Sequence, residues 1–189
     1  MEDLVETPIP NGQRVVKKSA GTPILITSFR PWKAHQGMNT SDVLVQQVRD
    51  SLPSNTMALR WLPVNFDLAP IRVISHMVQY RPKVVICCGM AETRKTLTVE
   101  QWGTHGQHQL STPVDLQVLI RQTVHTRISY DAGDFVCNRL YYRVLQHLAG
   151  QAEQQTAVLF VHVPLITTAN QAVLEFDFLK IVEYLNGIG

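Results

Sequence analysis

Short apolar runs alternate along the chain with longer amphipathic segments. The runs at 24–29, 84–88 and 157–163 are nearly unbroken, which is typical of strands covered on both faces. Further strands are predicted at 57–64, 96–102 and 124–130. Helical spacing and capping residues predict helices over about 39–52, 67–80, 113–123, 135–148 and 169–185. This alternation predicts an α/β fold with a mostly parallel central sheet and helices on both faces.

Residues 1–22 do not show this alternation of apolar runs and amphipathic segments. They are rich in proline and glycine and show little periodicity, so we expect an irregular N-terminal extension there. The remaining residues, 23–189, are predicted to form a single α/β domain. A chain of 189 residues with 45% hydrophobic and 17% charged side chains can bury the hydrophobic core of one such domain. This composition argues against disorder.

Charge and cysteine usage narrow the class of protein. Seventeen basic and fifteen acidic side chains give a net charge of +2 without a long run of one sign, so no nucleic-acid partner is predicted. Three cysteines, two of them adjacent, do not form a disulfide framework and are typical of a reducing compartment. With no secretory signal and no apolar run of ~18 residues, we expect a cytoplasmic protein that does not bind a membrane.

The segment 131–138 carries the strongest chemical signal. It joins a predicted strand to a helix and places Cys137 in the first helical turn, where the macrodipole and free N–H groups favour a thiolate and lower a cysteine pKa. The same amides could hold an oxyanion, and Gly133 permits the tight turn. Alternatively, Cys137 is a small buried residue that packs the helix against the sheet, and on this segment alone that packing role is favoured.

A thiol nucleophile needs a base, and His162 has the most suitable position among the histidines. It ends the strand predicted after the helix of Cys137. If that strand and the one ending at Tyr130 are adjacent and parallel, His162 returns to the same sheet edge as Cys137. The alternative is a histidine that caps a strand by hydrogen bonding.

A carboxylate would orient the imidazole and fix its tautomer. Glu100, Asp131 and Asp134 are the candidates, and position alone does not choose among them. Each is also compatible with an ordinary solvated carboxylate or a helix cap.

Other signals are weaker. Phe29, Trp32 and Trp102 lie near predicted strand ends and either line a small apolar pocket or pack in the core. His105 and His108 have no further ligand at a suitable spacing, so no metal is predicted. The chain has neither a Walker A nor a G-x-G-x-x-G pattern, and no cofactor is predicted.

Several segments, taken together and in order, resemble the pyroglutamyl peptidase I family. The most specific is A-G-D-F-V-C-N at 132–138, which is similar to the family's segment around its nucleophile. The F-V-H-V-P of 160–164 is similar to the segment that carries the family's catalytic histidine. The remaining matches are G-M-A-E-T-R at 89–94 with L-T-V-E at 97–100, F-R-P-W at 29–32, N-T-S at 39–41 and L-P-V at 62–64.

The resemblance implies a three-layer α/β/α fold of the phosphorylase/hydrolase-like type and a cysteine exopeptidase without a cofactor. It selects Glu100 over the two aspartates and implies a catalytic trio of Cys137, His162 and Glu100. The implied substrate is a peptide with an N-terminal pyroglutamyl group, and a homo-oligomer is compatible with the resemblance. The implied substrate-binding residues are Phe29, Trp32, Met90 and Arg94.

The chain also departs from the family pattern near the expected substrate pocket. The opening loop of the family corresponds here to residues 28–34. In it, Ser28 replaces a glycine, Trp32 replaces a phenylalanine, and Lys33-Ala34 replaces two glycines. The polar segment 103–112 is shorter than its counterpart in the family. Two alternatives therefore stand beside the peptidase hypothesis: a binding or interaction protein that kept the fold, and a thiol amidase for another small acyl group.

Overall fold

The computed structural model describes residues 7–9, 13–15, 23–33, 36–151 and 156–188. The strands are β1 (Thr7–Ile9), β2 (Gln13–Val15), β3 (Ile24–Phe29), β4 (Thr56–Leu62), β5 (Val84–Met90), β6 (Thr98–Glu100), β7 (Trp102–His105), β8 (His108–Ser111), β9 (Arg127–Ser129) and β10 (Ala157–Val163). The α-helices are α1 (Thr40–Gln47), α2 (Leu68–Tyr80), α3 (Leu116–Ile120), α4 (Val136–Ala149) and α5 (Gln171–Ile188).

A six-stranded sheet with the order β4-β3-β5-β10-β6-β9 forms the centre of the protein. The first four strands in this order are parallel, β6 runs antiparallel to β10, and β9 is parallel to β6. Helices α1, α3 and α5 pack on one face, and α2 and α4 pack on the other. The predicted α/β fold with a mostly parallel sheet is confirmed.

The two-residue period of the strands divides the core between the faces. In β5, Val84, Ile86 and Cys88 point into the cluster under α1 and α5, whereas Val85 and Cys87 point into the cluster under α2 and α4. Both sets are fully buried, which explains why this strand is an unbroken apolar run rather than an alternating one.

The region after β5 differs most from the prediction. The expected strand at 96–102 is limited to β6, and the polar segment 103–112 forms most of a hairpin between β7 and β8. Gly106 has φ +58° at the turn between the paired His105 and His108, a conformation that glycine adopts without strain. Polar residues occupy this hairpin because most of its side chains are partly or fully exposed.

The strands before Cys137 and at His162 are neither adjacent nor parallel, so the condition under which their connection would bring His162 to Cys137 is not met. The strand β6 lies between β9 and β10, and it is antiparallel to β10, so β9 and β10 run in opposite directions. The segment 130–135 therefore carries the chain back to the carboxyl end of β10 before α4 begins. Strand order could not be deduced from hydrophobic runs, because it depends on the path of this connection.

The predicted extension at 1–22 lies largely outside the described residues. Within it, β1 and β2 pair antiparallel. Ala34 of the opening loop and the neighbouring His35 also lie outside the described residues. Among the helices of the described part of the chain, none is both long and apolar enough to cross a membrane.

Candidate active site

A cavity of about 500 Å³ opens where β3, β5 and β10 end. Its wall includes Cys137 and His162, together with residues from the loops that follow these strands and from the segment 131–136. In open α/β sheets, ligands bind beyond the carboxyl ends of the parallel strands, and this cavity has that position.

The alternation of side chains between the two faces of β10 determines where His162 points. It shares one face of the strand with Val158 and Phe160, so its ring points toward α4 rather than toward α5. The imidazole and the Phe160 ring have centroids 4.2 Å apart, and His162 is only 3% exposed. Its orientation is therefore fixed by packing before any polar contact is considered.

Glu100 supplies the carboxylate beside His162. In the antiparallel register of β6 and β10, Thr98 lies opposite His162, and Glu100 is two residues further on the same face. Its Oε1 lies 2.7 Å from Nδ1 of His162, and the residue has no exposed surface. The two rival carboxylates lie elsewhere: Asp131 accepts the N–H of Gly133, and Asp134 is exposed on the cavity wall.

Cys137 lies in the first turn of α4, with its Sγ 3.8 Å from Nε2 of His162. The extended Phe135 precedes the helix and has no side-chain capping bond. The side-chain amide of Asn138 donates to the carbonyl of Gly133 at 2.7 Å and to Oγ1 of Thr104 at 2.8 Å. These bonds fix the start of α4 to the turn before it and to β7.

Gly89 allows Cys137 to approach the sheet. A Cβ atom at position 89 would lie 2.8 Å from Cβ of Cys137, 3.1 Å from its sulfur and 3.1 Å from the Phe160 ring. Because all three contacts are shorter than ordinary van der Waals separations, only glycine leaves room for the thiol here.

The expected lowering of the Cys137 pKa is wrong for this structure. Burial raises the pKa of the Cys137 thiol to about 12. The backbone N–H groups of Asn138 and Cys137 lower that pKa, as the position in the first helical turn predicts, but burial outweighs them. The thiol is therefore protonated at neutral pH and requires a base beside it.

Comparison with known proteins points to one family. The sequence model described as pyroglutamyl peptidase matches residues 110–178, a range that includes both Cys137 and His162. The pyrrolidone-carboxylate peptidase of Thermoanaerobacter sp. (strain X514) is 25% identical over 167 residues, covering 75% of this chain and 81% of that protein. The enzyme of the same name from Thermococcus onnurineus is 27% identical over 169 residues, covering 76% of this chain and 84% of its own.

The chain is similar to the pyroglutamyl peptidase family. This confirms the resemblance seen in the sequence motifs. Glu100 lies before the matched range, so its assignment rests on the motif resemblance and on its position beside His162.

Solved structures show the same fold. The pyrrolidone carboxyl peptidase from Thermococcus litoralis superposes with a TM-score of 0.71 at 18% identity, covering 89% of this chain and 97% of that one. The pyroglutamyl peptidase I from Bacillus amyloliquefaciens gives a TM-score of 0.70 at 18% identity, covering 89% and 94% of the two chains. The chain therefore has the same fold as these peptidases, although its opening loop differs from the family pattern.

Arg94 was expected to bind substrate, and it does line the cavity. Its guanidinium, however, is already engaged: it lies 3.2 Å from Oε1 of Glu100 and donates to Oγ1 of Thr98 at 2.8 Å and to the carbonyl of Asp131 at 2.7 Å. Arg94 thus connects the carboxylate beside His162 to the loop that leads into α4.

The cavity has a largely apolar wall. Phe29, Trp32 and Met90, the other expected substrate-binding residues, line it, whereas Trp102 lies in β7 away from it. Sequence reasoning missed further apolar lining residues: Val64, Phe66 and Phe135. Phe135 lies within the cysteine motif, and Val64 and Phe66 closely follow the end of β4. These positions were the available signal.

Proposed function

We propose that the protein is a cysteine exopeptidase that hydrolyses the amide bond after an N-terminal pyroglutamyl group. The observation that carries this proposal is the line of contacts from the Cys137 sulfur through the His162 imidazole to the Glu100 carboxylate, on the wall of a cavity. The similarity to pyroglutamyl peptidases supports the substrate class.

The first step transfers the acyl group to the enzyme. Because the resting thiol of Cys137 is protonated, its proton passes to Nε2 of His162 as the sulfur attacks the amide carbonyl carbon. The Glu100 carboxylate accepts the Nδ1 proton of His162 in a hydrogen bond and stabilises the imidazolium. The backbone N–H groups at the start of α4 stabilise the oxyanion of the tetrahedral intermediate.

The intermediate then collapses. His162 returns the proton to the leaving nitrogen, the C–N bond breaks, and a free amine departs from a thioester on Cys137. A water molecule gives a proton to His162 and adds to the thioester carbonyl. The C–S bond breaks, pyroglutamate is released, and the thiolate recovers its proton from the imidazolium.

The cavity wall fits an uncharged acyl group. A pyroglutamyl ring is a small lactam with apolar methylene edges and no charge. The aromatic side chains of Phe29, Trp32, Phe66 and Phe135 offer apolar surface to such a ring. A free N-terminal amino acid would carry an ammonium group, whose desolvation against these side chains is unfavourable.

Cleavage of a fluorogenic pyroglutamyl amide tests the proposal. Wild type should release the fluorophore, and Cys137→Ala should not. The matched control is Cys88→Ala, because Cys88 is also buried but points to the opposite face of the sheet. Failure of wild type to cleave would contradict the peptidase proposal.

A second measurement separates the alternatives after such a failure. Iodoacetamide labelling of Cys137 that is lost in His162→Ala would favour a thiol amidase for another acyl group. Absence of that labelling would favour a binding protein. A homo-oligomeric state and a cytoplasmic location stay predictions.

A further inference from the structure

The Glu92 carboxylate, in the loop after β5, contacts the opening loop that carries Trp32. Lys33 Nζ lies 3.0 Å from Oε2 of Glu92, and Nε2 of Gln36 donates to Oε1. The two loops are far apart in sequence and meet at the cavity, which all these residues line.

Gln36 extends this connection to the backbone of the loop. Its Oε1 accepts the N–H groups of Trp32 and Lys33, each at 3.3 Å. Because the amide oxygen holds the turn while the amide nitrogen binds Glu92, the position of the Trp32 backbone depends on that carboxylate.

Lys33 extends the connection between the two loops to the indole ring of Trp32. Its ammonium lies 5.1 Å from the centroid of the Trp32 ring, within the range of a cation–π contact. The Trp32 side chain is 52% exposed, so packing alone does not fix it. One carboxylate thus restrains both the backbone and the ring of an aromatic residue in the cavity wall.

We propose that Glu92 is a positioning residue that sets substrate affinity by holding Trp32 in the cavity wall. This inference rests on the proposed peptidase function. Glu92 does not contact Cys137, His162 or Glu100 in the described contacts, so its removal should weaken binding of the acyl group and leave the chemical step nearly intact.

Two substitutions separate the contact of Glu92 with Lys33 from its contact with Gln36. Glu92→Gln removes the ion pair with Lys33 but keeps a carbonyl oxygen that can accept from Gln36, whereas Glu92→Ala removes both. With a fluorogenic pyroglutamyl amide, we expect KM to rise about threefold in Glu92→Gln and about tenfold in Glu92→Ala, while kcat stays within about twofold.

Glu183→Gln is the matched control. Glu183 pairs with Lys180 at 2.8 Å, and Lys180 lies 5.8 Å from the centroid of the Phe176 ring, so the same kinds of contact are lost away from the cavity. This variant should retain the wild-type KM and kcat.

A double-mutant cycle shows whether Glu92 acts through Trp32. In a Trp32→Ala background, the further change Glu92→Ala should raise KM by less than about twofold, because the side chain that Glu92 restrains is already gone. An undiminished effect in that background would overturn the proposed route through Trp32.

Amide hydrogen exchange provides a readout that does not need activity. The Trp32 and Lys33 amides should exchange faster in Glu92→Ala than in wild type, at an unchanged melting temperature, and should not change in Glu183→Gln. Wild-type exchange and KM in Glu92→Ala would overturn the inference. Failure of wild type to cleave contradicts the peptidase proposal instead, and the exchange rates then still decide whether Glu92 holds the loop.

Discussion

The Glu100 carboxylate lies 2.7 Å from Nδ1 of His162, and both side chains are almost completely buried. The cysteine sulfur lies on the other side of the ring, near Nε2. Under the proposed mechanism, a carboxylate in this position keeps the Nδ1 proton in place, which leaves Nε2 free to accept the thiol proton. The arrangement therefore assigns a separate role to each ring nitrogen.

Replacing Glu100 by glutamine should reduce kcat with little change in KM. The amide has nearly the shape of the carboxylate, but it cannot stabilise the imidazolium and can favour the wrong tautomer by donating to Nδ1. We expect a loss of about 10²- to 10⁴-fold in kcat for a pyroglutamyl amide, measured by steady-state kinetics. Wild-type kcat in this variant would contradict the role of Glu100.

Arg94 should act through Glu100 rather than through substrate. Arg94→Ala leaves the buried carboxylate without its guanidinium and the Asp131 carbonyl without its donor, so we expect a loss of about 2–3 kcal/mol in the free energy of unfolding. The kinetic loss should fall in kcat, with partial recovery in Arg94→Lys. A rise in KM alone would instead favour direct substrate binding.

Gly89→Ala should displace the nucleophile. The added methyl group would meet Cβ of Cys137 at 2.8 Å, so α4 must shift or the core must expand. We expect a destabilisation of about 1–3 kcal/mol by urea unfolding, together with a marked loss of activity. Gly187→Ala is the control, since a Cβ there meets nothing within 4 Å. Equal stability and activity in both variants would contradict the described packing.

The buried thiols should make the protein less stable in alkali. Burial raises the pKa of Cys87 and Cys137 from the ordinary 9.0 to about 12, and it raises that of Cys88 as well. The folded state therefore holds protons that the unfolded state loses above about pH 9. Each thiol should lower the free energy of unfolding by about 1.4 kcal/mol per pH unit until its folded pKa is reached.

Cys87→Ala tests the predicted decline of the free energy of unfolding with pH. Urea unfolding at several pH values between about 9 and 11 should show a shallower decline in this variant, by one titrating group. Val85→Ala opens space in the same cluster without removing a titrating group, so its slope should match wild type. Equal slopes in all three proteins would contradict the raised thiol pKa.

The parallel part of the fold and the positions of the cysteine and histidine could be predicted from the sequence. Unbroken apolar runs in β3, β5 and β10 identify strands buried on both faces, and the end of such a strand locates His162. Selecting Glu100 required the resemblance to the family motif, because its distance in sequence from His162 says nothing about strand pairing.

The remaining features depend on contacts between distant segments. The reversal of β6 follows from how the chain leaves β5, which a period of two does not encode. The pKa of Cys137 depends on burial under α4 as well as on its position in the helix. The contact between Lys33 and Glu92 joins two loops whose approach the sequence does not indicate.

Trapping of the acyl-enzyme shows whether Cys137 is the nucleophile. Wild type and Cys88→Ala are mixed with a fluorogenic pyroglutamyl amide, quenched in acid within one turnover and digested for mass spectrometry. We expect one pyroglutamyl group to be added to the peptide that carries Cys137, and Cys137→Ala to show neither the adduct nor turnover. Turnover in Cys137→Ala, or an adduct on any other residue, would contradict that role of Cys137.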